Sequence, residues 1–186
     1  MNRFSCSRAQ GFTLMEVMVA LVIISIGLLG IAAMQATAIA STHTSQTESL
    51  AAIEARSLAD AMQANPDYWA AGNFPTILTV KGTAAAPVLS DATLNSQTTN
   101  CSTTACLDTS NNGNVAMAGY DLQQWAKQLF TQIPGSTATI NCQIGSPTIC
   151  SITVTWTQKA TAAVNNGTQS TATLANNMSY TLVNQF

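Results

Sequence analysis

The chain has 186 residues, of which 8% are charged and 6% aromatic, and its formal net charge is −2. That length accommodates one domain plus a membrane segment and leaves no room for a second large domain. Arg3 and Arg8 precede Gly11. Beyond it, Arg56, Lys81, Lys127 and Lys159 are scattered among the acidic residues, so there is no basic stripe of the kind that binds phosphates, and no nucleic-acid partner is expected. Ala, Thr, Ser and Asn dominate after the first third, a composition more typical of exported surfaces than of cytosolic enzymes.

Residues 8 to 34 read RAQGFTLMEVMVALVIISIGLLGIAAM, a basic leader followed by about 20 apolar residues, long enough to cross a bilayer. One acid, Glu16, lies inside the span. Carboxylates in such places cost roughly 2.5 kcal/mol or more near the bilayer centre and are functional candidates by default. Near a helix start the same acid is also favoured by the helix dipole. Both basic leader residues come before the span and no Lys or Arg follows until Arg56, which predicts a single-pass arrangement with the amino terminus in the cytoplasm and the remainder outside.

No proline interrupts the chain before Asn65-Pro66, so one helix is predicted from Thr13 to Asn65, about 80 Å long at roughly 1.5 Å per residue. Its two halves differ. Residues 12–35 form the membrane half and 36–65 an amphipathic half. In the latter, Leu50, Ile53, Leu58, Ala61 and Met62 recur at helical spacing and should face a domain, while Glu48, Glu54, Arg56 and Asp60 occupy the other positions. The competing reading is a secretory signal peptide cut near Ala36-Thr37-Ala38 or Ala38-Ile39-Ala40. The apolar run exceeds the roughly 7–15 residues of a signal core, however, and contains an acid that export does not require.

Residues 66–186 are expected to form an exported globular domain. After Asp67-Tyr68-Trp69 and the short apolar segment Ile77-Leu78-Thr79-Val80, a polar tract from Ala84 to about Gly119 lacks periodicity and reads as a surface loop. Leu122, Trp125, Leu129, Phe130 and Ile133 predict a short helix over 121–133, capped by Asp121, ended by Pro134-Gly135 and using its apolar stripe as core. Strand alternation follows: Ala138, Ile140, Cys142 and Ile144 share one face, and Cys150, Ile152, Val154 and Trp156 another, with Gly145-Ser146-Pro147-Thr148 as the turn between them. A last strand is expected from Ser179 to Phe186. The fold class is α+β, a long helix on a small antiparallel sheet with one extra short helix.

There are five cysteines. Cys6 lies in the leader, which leaves an even set, Cys101, Cys106, Cys142 and Cys150, suited to an oxidising compartment. Three pairings are open. The polar tract favours Cys101–Cys106, and opposition on adjacent strands favours Cys142–Cys150.

Gly11-Phe12-Thr13-Leu14-Met15-Glu16-Val17 resembles the processing motif of type IV pilins and the pseudopilins of type II secretion. The resemblance implies cleavage by a prepilin peptidase after Gly11, giving a leader of residues 1–11. It also implies N-methylation of Phe12 and a role for Glu16 in registering subunits during assembly. Gly119-Tyr120-Asp121-Leu122 with Trp125, Pro134-Gly135, and Cys150-Ser151-Ile152-Thr153-Val154-Thr155-Trp156 are similar to the pattern of PilV-type minor pilins, the type IV pilus modification proteins. So is the stretch from Val19-Ala20-Leu21 to Gly30. The polar tracts at 84–118 and 160–178 are not diagnostic.

That likeness implies a low-copy subunit that promotes pilus initiation and supports adhesion and twitching motility. Its partners would be other minor pilins, the major pilin, the assembly machinery in the inner membrane and a tip adhesin. The lack of a proline between Ile26 and Gln35 sets it apart from many major pilins. A minor pseudopilin of type II secretion is the nearest alternative. A tethered enzyme is remote: His43 is the only histidine and reads as a surface residue, Asp67, Asp91, Asp108 and Asp121 are isolated in sequence, and no catalytic triad, metal-ligand cluster or phosphate loop is visible. No metal or other cofactor is expected.

Overall fold

The computed structural model describes residues 11–102, 106, 111–159 and 175–186. The leader residues Arg3, Cys6 and Arg8, Asp108, and parts of both polar tracts lie outside the described residues. The chain separates into two compact units, residues 1–43 and 44–186. The first contributes helix α1 from its start at Leu14; the helix ends at Ala64 within the second.

The second unit also contains helices α2 (Pro66–Trp69), α3 (Ala92–Asn95) and α4 (Asn111–Gln132). Its strands are β1 (Ile77–Gly82), β2 (Pro87–Leu89), β3 (Thr137–Gln143), β4 (Ile149–Lys159) and β5 (Ala175–Gln185). They form one antiparallel sheet in the order β2-β1-β3-β4-β5. The period-2 pattern decides its faces. Ala138, Ile140, Cys142, Cys150, Ile152, Val154 and Trp156 are buried, as are Leu78 and Val80 of β1. The intervening positions carry Thr79, Thr139, Thr153 and Thr181 directly opposite one another across four strands. This is the α+β, pilin-like architecture expected from the pattern, with more helix and more strand than the pattern revealed.

Helix α4 begins ten residues before the expected 121. Asp121 is therefore an interior residue and not a cap. Asn and Gly in NNGNVAMAGY are poor helix formers, but packing overrides them. A Cβ at Gly119 would lie 3.1 Å from the Leu94 carbonyl oxygen of α3, so the glycine permits the close approach of the two helices. Gln123 then donates to the Leu94 and Gln97 carbonyls at 3.1 and 3.0 Å, tying α4 to the carboxyl end of α3. The tract from 84 also holds β2 and α3, where Asp91 caps Leu94 N–H at 2.9 Å.

Two expectations about side-chain orientation fail. Ile144 lies past the end of β3 and is 71% exposed. On α1 the buried stripe is Ala51, Glu54, Ala55, Leu58, Ala59 and Met62, whereas Ile53 is 60% exposed. Small alanines one turn apart let α4 and the sheet approach the helix backbone. Trp125 Nε1 donates to the Glu54 carbonyl at 2.8 Å, and Asn184 Nδ2 to the Ala59 carbonyl at 3.2 Å. Gln63 Nε2 donates to Asn184 Oδ1 at 2.8 Å.

The same rotation buries the Glu54 side chain, whose carboxylate oxygens lack a well-formed hydrogen bond among the described residues and have the Gln128 side chain as their polar neighbour. Burial raises its pKa from the ordinary 4.5, and the Gln128 side chain offsets part of that rise. Burial likewise pushes Asp121 up to about 6. An acid whose pKa is higher folded than unfolded holds more protons in the folded state between the two values. Stability should therefore fall as pH rises from about 4 to about 6. Thermal unfolding of Glu54→Gln should show a flatter pH profile and higher stability at neutral pH than the parent; equal profiles would show that Glu54 is not the source. Leu129→Ala, which empties a fully buried site in the core, should cost about 2–5 kcal/mol in denaturant titrations.

Candidate functional site

Gly11 and Phe12 precede the first helix, and Thr13 caps it. The Thr13 carbonyl accepts from Glu16 N–H at 3.1 Å and from Val17 N–H at 3.3 Å, and Thr13 Oγ1 also accepts from Glu16 N–H at 3.3 Å. Thr13-Leu14-Met15-Glu16 is thus a Thr-x-x-Glu helix start, with the acid at the third helical position. Thr13 is a residue of the site that the processing motif does not mark, although its spacing to Glu16 signals a cap. Glu16 stands in the first turn of α1, where the unpaired amides and the helix dipole favour negative charge. Its position on the helix has a local physical reason as well as any role in assembly.

Beyond Glu16 the segment shows apolar side chains on every side. Residues 11 to 43 are all exposed, and α1 is the one helix among the described residues long and apolar enough to cross a membrane. Three of its hydroxyl side chains bond to the preceding turn of the helix. Ser25 Oγ donates to the Leu21 carbonyl at 2.7 Å, Thr37 Oγ1 to Met34 at 2.8 Å and Thr42 Oγ1 to Ala38 at 2.9 Å, which removes the cost of placing a hydroxyl in an apolar phase. Gly27 and Gly30 have open space where a side chain would stand. A neighbouring helix could approach closely there.

The cysteines of the globular unit pair as Cys101–Cys106 and Cys142–Cys150, with Cα separations of 5.2 and 4.0 Å. Cys142 and Cys150 face each other directly across β3 and β4 and are buried. Among the described residues no group of three or more His, Cys, Asp and Glu side chains could hold a metal ion.

The α+β fold, with an apolar helix starting at a Gly-Phe-Thr-Leu-Met-Glu sequence, is consistent with a type IV pilin-like architecture. Residues 6–32 match the prokaryotic N-terminal methylation motif. No curated protein and no solved structure matches the chain. The motif supports a type IV pilin- or pseudopilin-like protein. It implies processing by a prepilin peptidase and use by a pilus or secretion machinery, and with the apolar helix it fits membrane anchoring.

Cross-linking the loop between Cys142 and Cys150, eight residues apart in sequence, should contribute about 2–3 kcal/mol by restricting the unfolded chain. Replacing both cysteines with alanine should lower stability by about that amount in urea titrations under non-reducing conditions. Loss of Cys101–Cys106, which closes a shorter loop with its first cysteine only half-buried, should cost less.

Proposed function

We propose that this chain is a minor pilin of a type IV pilus, a structural subunit rather than an enzyme. The observation that carries the reading is the methylation motif at residues 6–32, which runs without a break into an apolar helix exposed on all sides. In this reading the chain is divided as residues 1–11, a removable leader; 12–35, the membrane half of the helix; 36–65, its amphipathic half; and 66–186, the exported domain. The subunit waits in the inner membrane with its amino terminus inside and then enters the filament, where it promotes initiation with other minor pilins, the major pilin and a tip adhesin. Adhesion and twitching motility would depend on it.

Cleavage after Gly11 would create an α-amino group at Phe12, which methylation would leave able to carry a positive charge. Its carboxylate partner is Glu16, of its own chain or of the neighbour it packs against. In an apolar bundle neither charge is stable alone, and removing one member of a buried pair costs about 3–5 kcal/mol. Pairing between chains therefore converts the acid into a register mark. The continuous helix, with no proline between Ile26 and Gln35, and the PilV-like pattern around Trp125 and Trp156 support a minor rather than a major subunit. The motif suits a minor pseudopilin of type II secretion equally well, and deletion separates the two: loss of twitching supports the pilus, whereas loss of exoprotein secretion supports the pseudopilin.

Intact-mass measurement on the protein from sheared filaments should find methylated Phe12 at the amino terminus; a terminus at Ser41 would mean ordinary secretion. Glu16→Ala should be processed normally yet recovered in sheared filaments at a level reduced about tenfold or more. Recovery equal to the parent would remove Glu16 from assembly.

A further inference from the structure

The seam between α1 and α4 holds two acids and no base. Asn65 Nδ2 donates to the Asn114 carbonyl at 2.8 Å, and Trp125 Nε1 to the Glu54 carbonyl at 2.8 Å. The same number of residues separates the two contact points on either helix, so α1 and α4 run antiparallel and in step. Asn114, Asp121, Trp125 and Gln128 recur at helical spacing and form one stripe of α4 along that seam. Glu54 meets the stripe from α1 with its side chain buried, and Asp121 stands half-buried one turn from Trp125. Gln128, the polar neighbour of the Glu54 carboxyl, is itself exposed. The buried acid therefore lies just beneath the rim of the seam.

No cation compensates the pair among the described residues. On α1, Arg56 is exposed, as are Glu48 and Asp60, and on α4 Lys127 is exposed. Helix α2 contributes the exposed Asp67 and the buried Tyr68, whose phenol is pushed up to about 12 by burial and then by Asp91, and so stays neutral; Asp91 itself caps α3. The strands hold no acid, and their lysines are Lys81, which is exposed, and Lys159. The buried polar side chains other than Glu54 are Asn65, Ser136, Thr148 and Asn184, none of which ionises. Ionising either acid therefore puts a negative charge into an apolar seam with amides alone to receive it. An unpaired buried charge favours whatever motion readmits water. The bond from Trp125 to the Glu54 main chain lies on the same stripe, and such a motion breaks it.

We propose that this seam is a proton-operated latch: with Glu54 and Asp121 protonated, α4 is held closed on α1, and their ionisation lets the rim of the seam open while the sheet stays folded. The opening is confined to one pair of helices, which distinguishes it from a general loss of stability with pH. It releases the polar contact by which Trp125 holds α4 against α1. The latch belongs to the globular unit and does not depend on the pilus reading.

Two tryptophans supply the readout, with the full chain in detergent micelles. Ordinary carboxyls are ionised at both about pH 5 and about pH 8, whereas burial pushes Asp121 up to about 6 and raises Glu54, so these two acids change charge over that interval. Hydrogen exchange of the Trp125 indole N–H, measured against the buried Trp156 indole of β4, cancels the intrinsic pH dependence of the exchange chemistry. The ratio should rise at least about fivefold across the interval. It should rise less in Glu54→Gln and stay level when Asp121→Asn is added, because these amides keep the shape and do not ionise. Histidine also titrates in this interval, but His43 lies outside the globular unit, and His43→Gln should respond as the parent does. Slow exchange of the Trp156 indole in every variant would confirm an intact fold. The proposal is overturned if the parent ratio does not change with pH, if the double variant responds as the parent does, if His43→Gln abolishes the response, or if both indoles accelerate together, which would mark unfolding of the whole unit.

Discussion

The globular unit is organised around the stretch of α1 from Ala51 to Met62, whose backbone other elements approach closely. Alanines at 51, 55 and 59, set between Glu54, Leu58 and Met62, keep the side-chain layer thin at those points of that face. Trp125 and Asn184, from α4 and β5, can therefore donate to carbonyls in the middle of a helix. Those carbonyls already accept helical bonds, so the added donors mainly satisfy the Trp and Asn groups, which would be costly to bury alone. Helix and sheet are thereby fixed in register by polar contacts inside an otherwise apolar core. The buried Glu54 carboxyl results from the same close packing, since the residue that supplies the carbonyl to Trp125 has to carry its side chain into the seam.

The parts of the fold that were legible in sequence are those in which a periodic pattern and a physical need coincide. Strands β3 and β4 alternate because one face is solvated, and the stripe from Leu122 to Ile133 recurs because one helix face is buried. The parts that were not legible depend on residues with little hydrophobic signal of their own. Alanine weighs little in a hydrophobic pattern, so the stripe of α1 seemed to run through Ile53 rather than Ala51 and Ala55, and that misplacement turned Glu54 outward. The first half of α4 has weak propensity and is held by its packing on α3, a contact that depends on Gly119 having no side chain. Strand β1 was noted only as an apolar segment, because one of its partners, β2, lies inside the polar tract and the other, β3, lies well beyond it.

At the amino terminus the legibility was of another kind. The residues from Gly11 to Val17 were recognisable as a motif, and the structure adds the local physics that makes the order Thr-x-x-Glu sensible at a helix start. An acid in the first turn is favoured there whether or not another chain is present. A role in assembly must therefore come from what surrounds the helix end. Only in an apolar bundle does the charge require a partner strongly enough to select one neighbour position over another. A first-turn acid in water is a modest stabiliser, whereas the same acid in a packed assembly is a constraint on geometry.

The outer face of the sheet shows how a chain with few charges stays hydrated and what that choice leaves open. Thr79, Thr139, Thr153 and Thr181 form a row across four strands, and the hydroxyls of Thr153 and Thr181 lie 2.9 Å apart. β-branched threonine suits the strand backbone and still presents a hydroxyl to water, so the face needs no lysine or glutamate to remain soluble. Charged side chains, however, are also the usual means by which a strand edge rejects another strand. A sheet that draws its solubility from threonine lacks that protection unless its edge is short or carries proline. The edge at β2 has both features and the edge at β5 has neither.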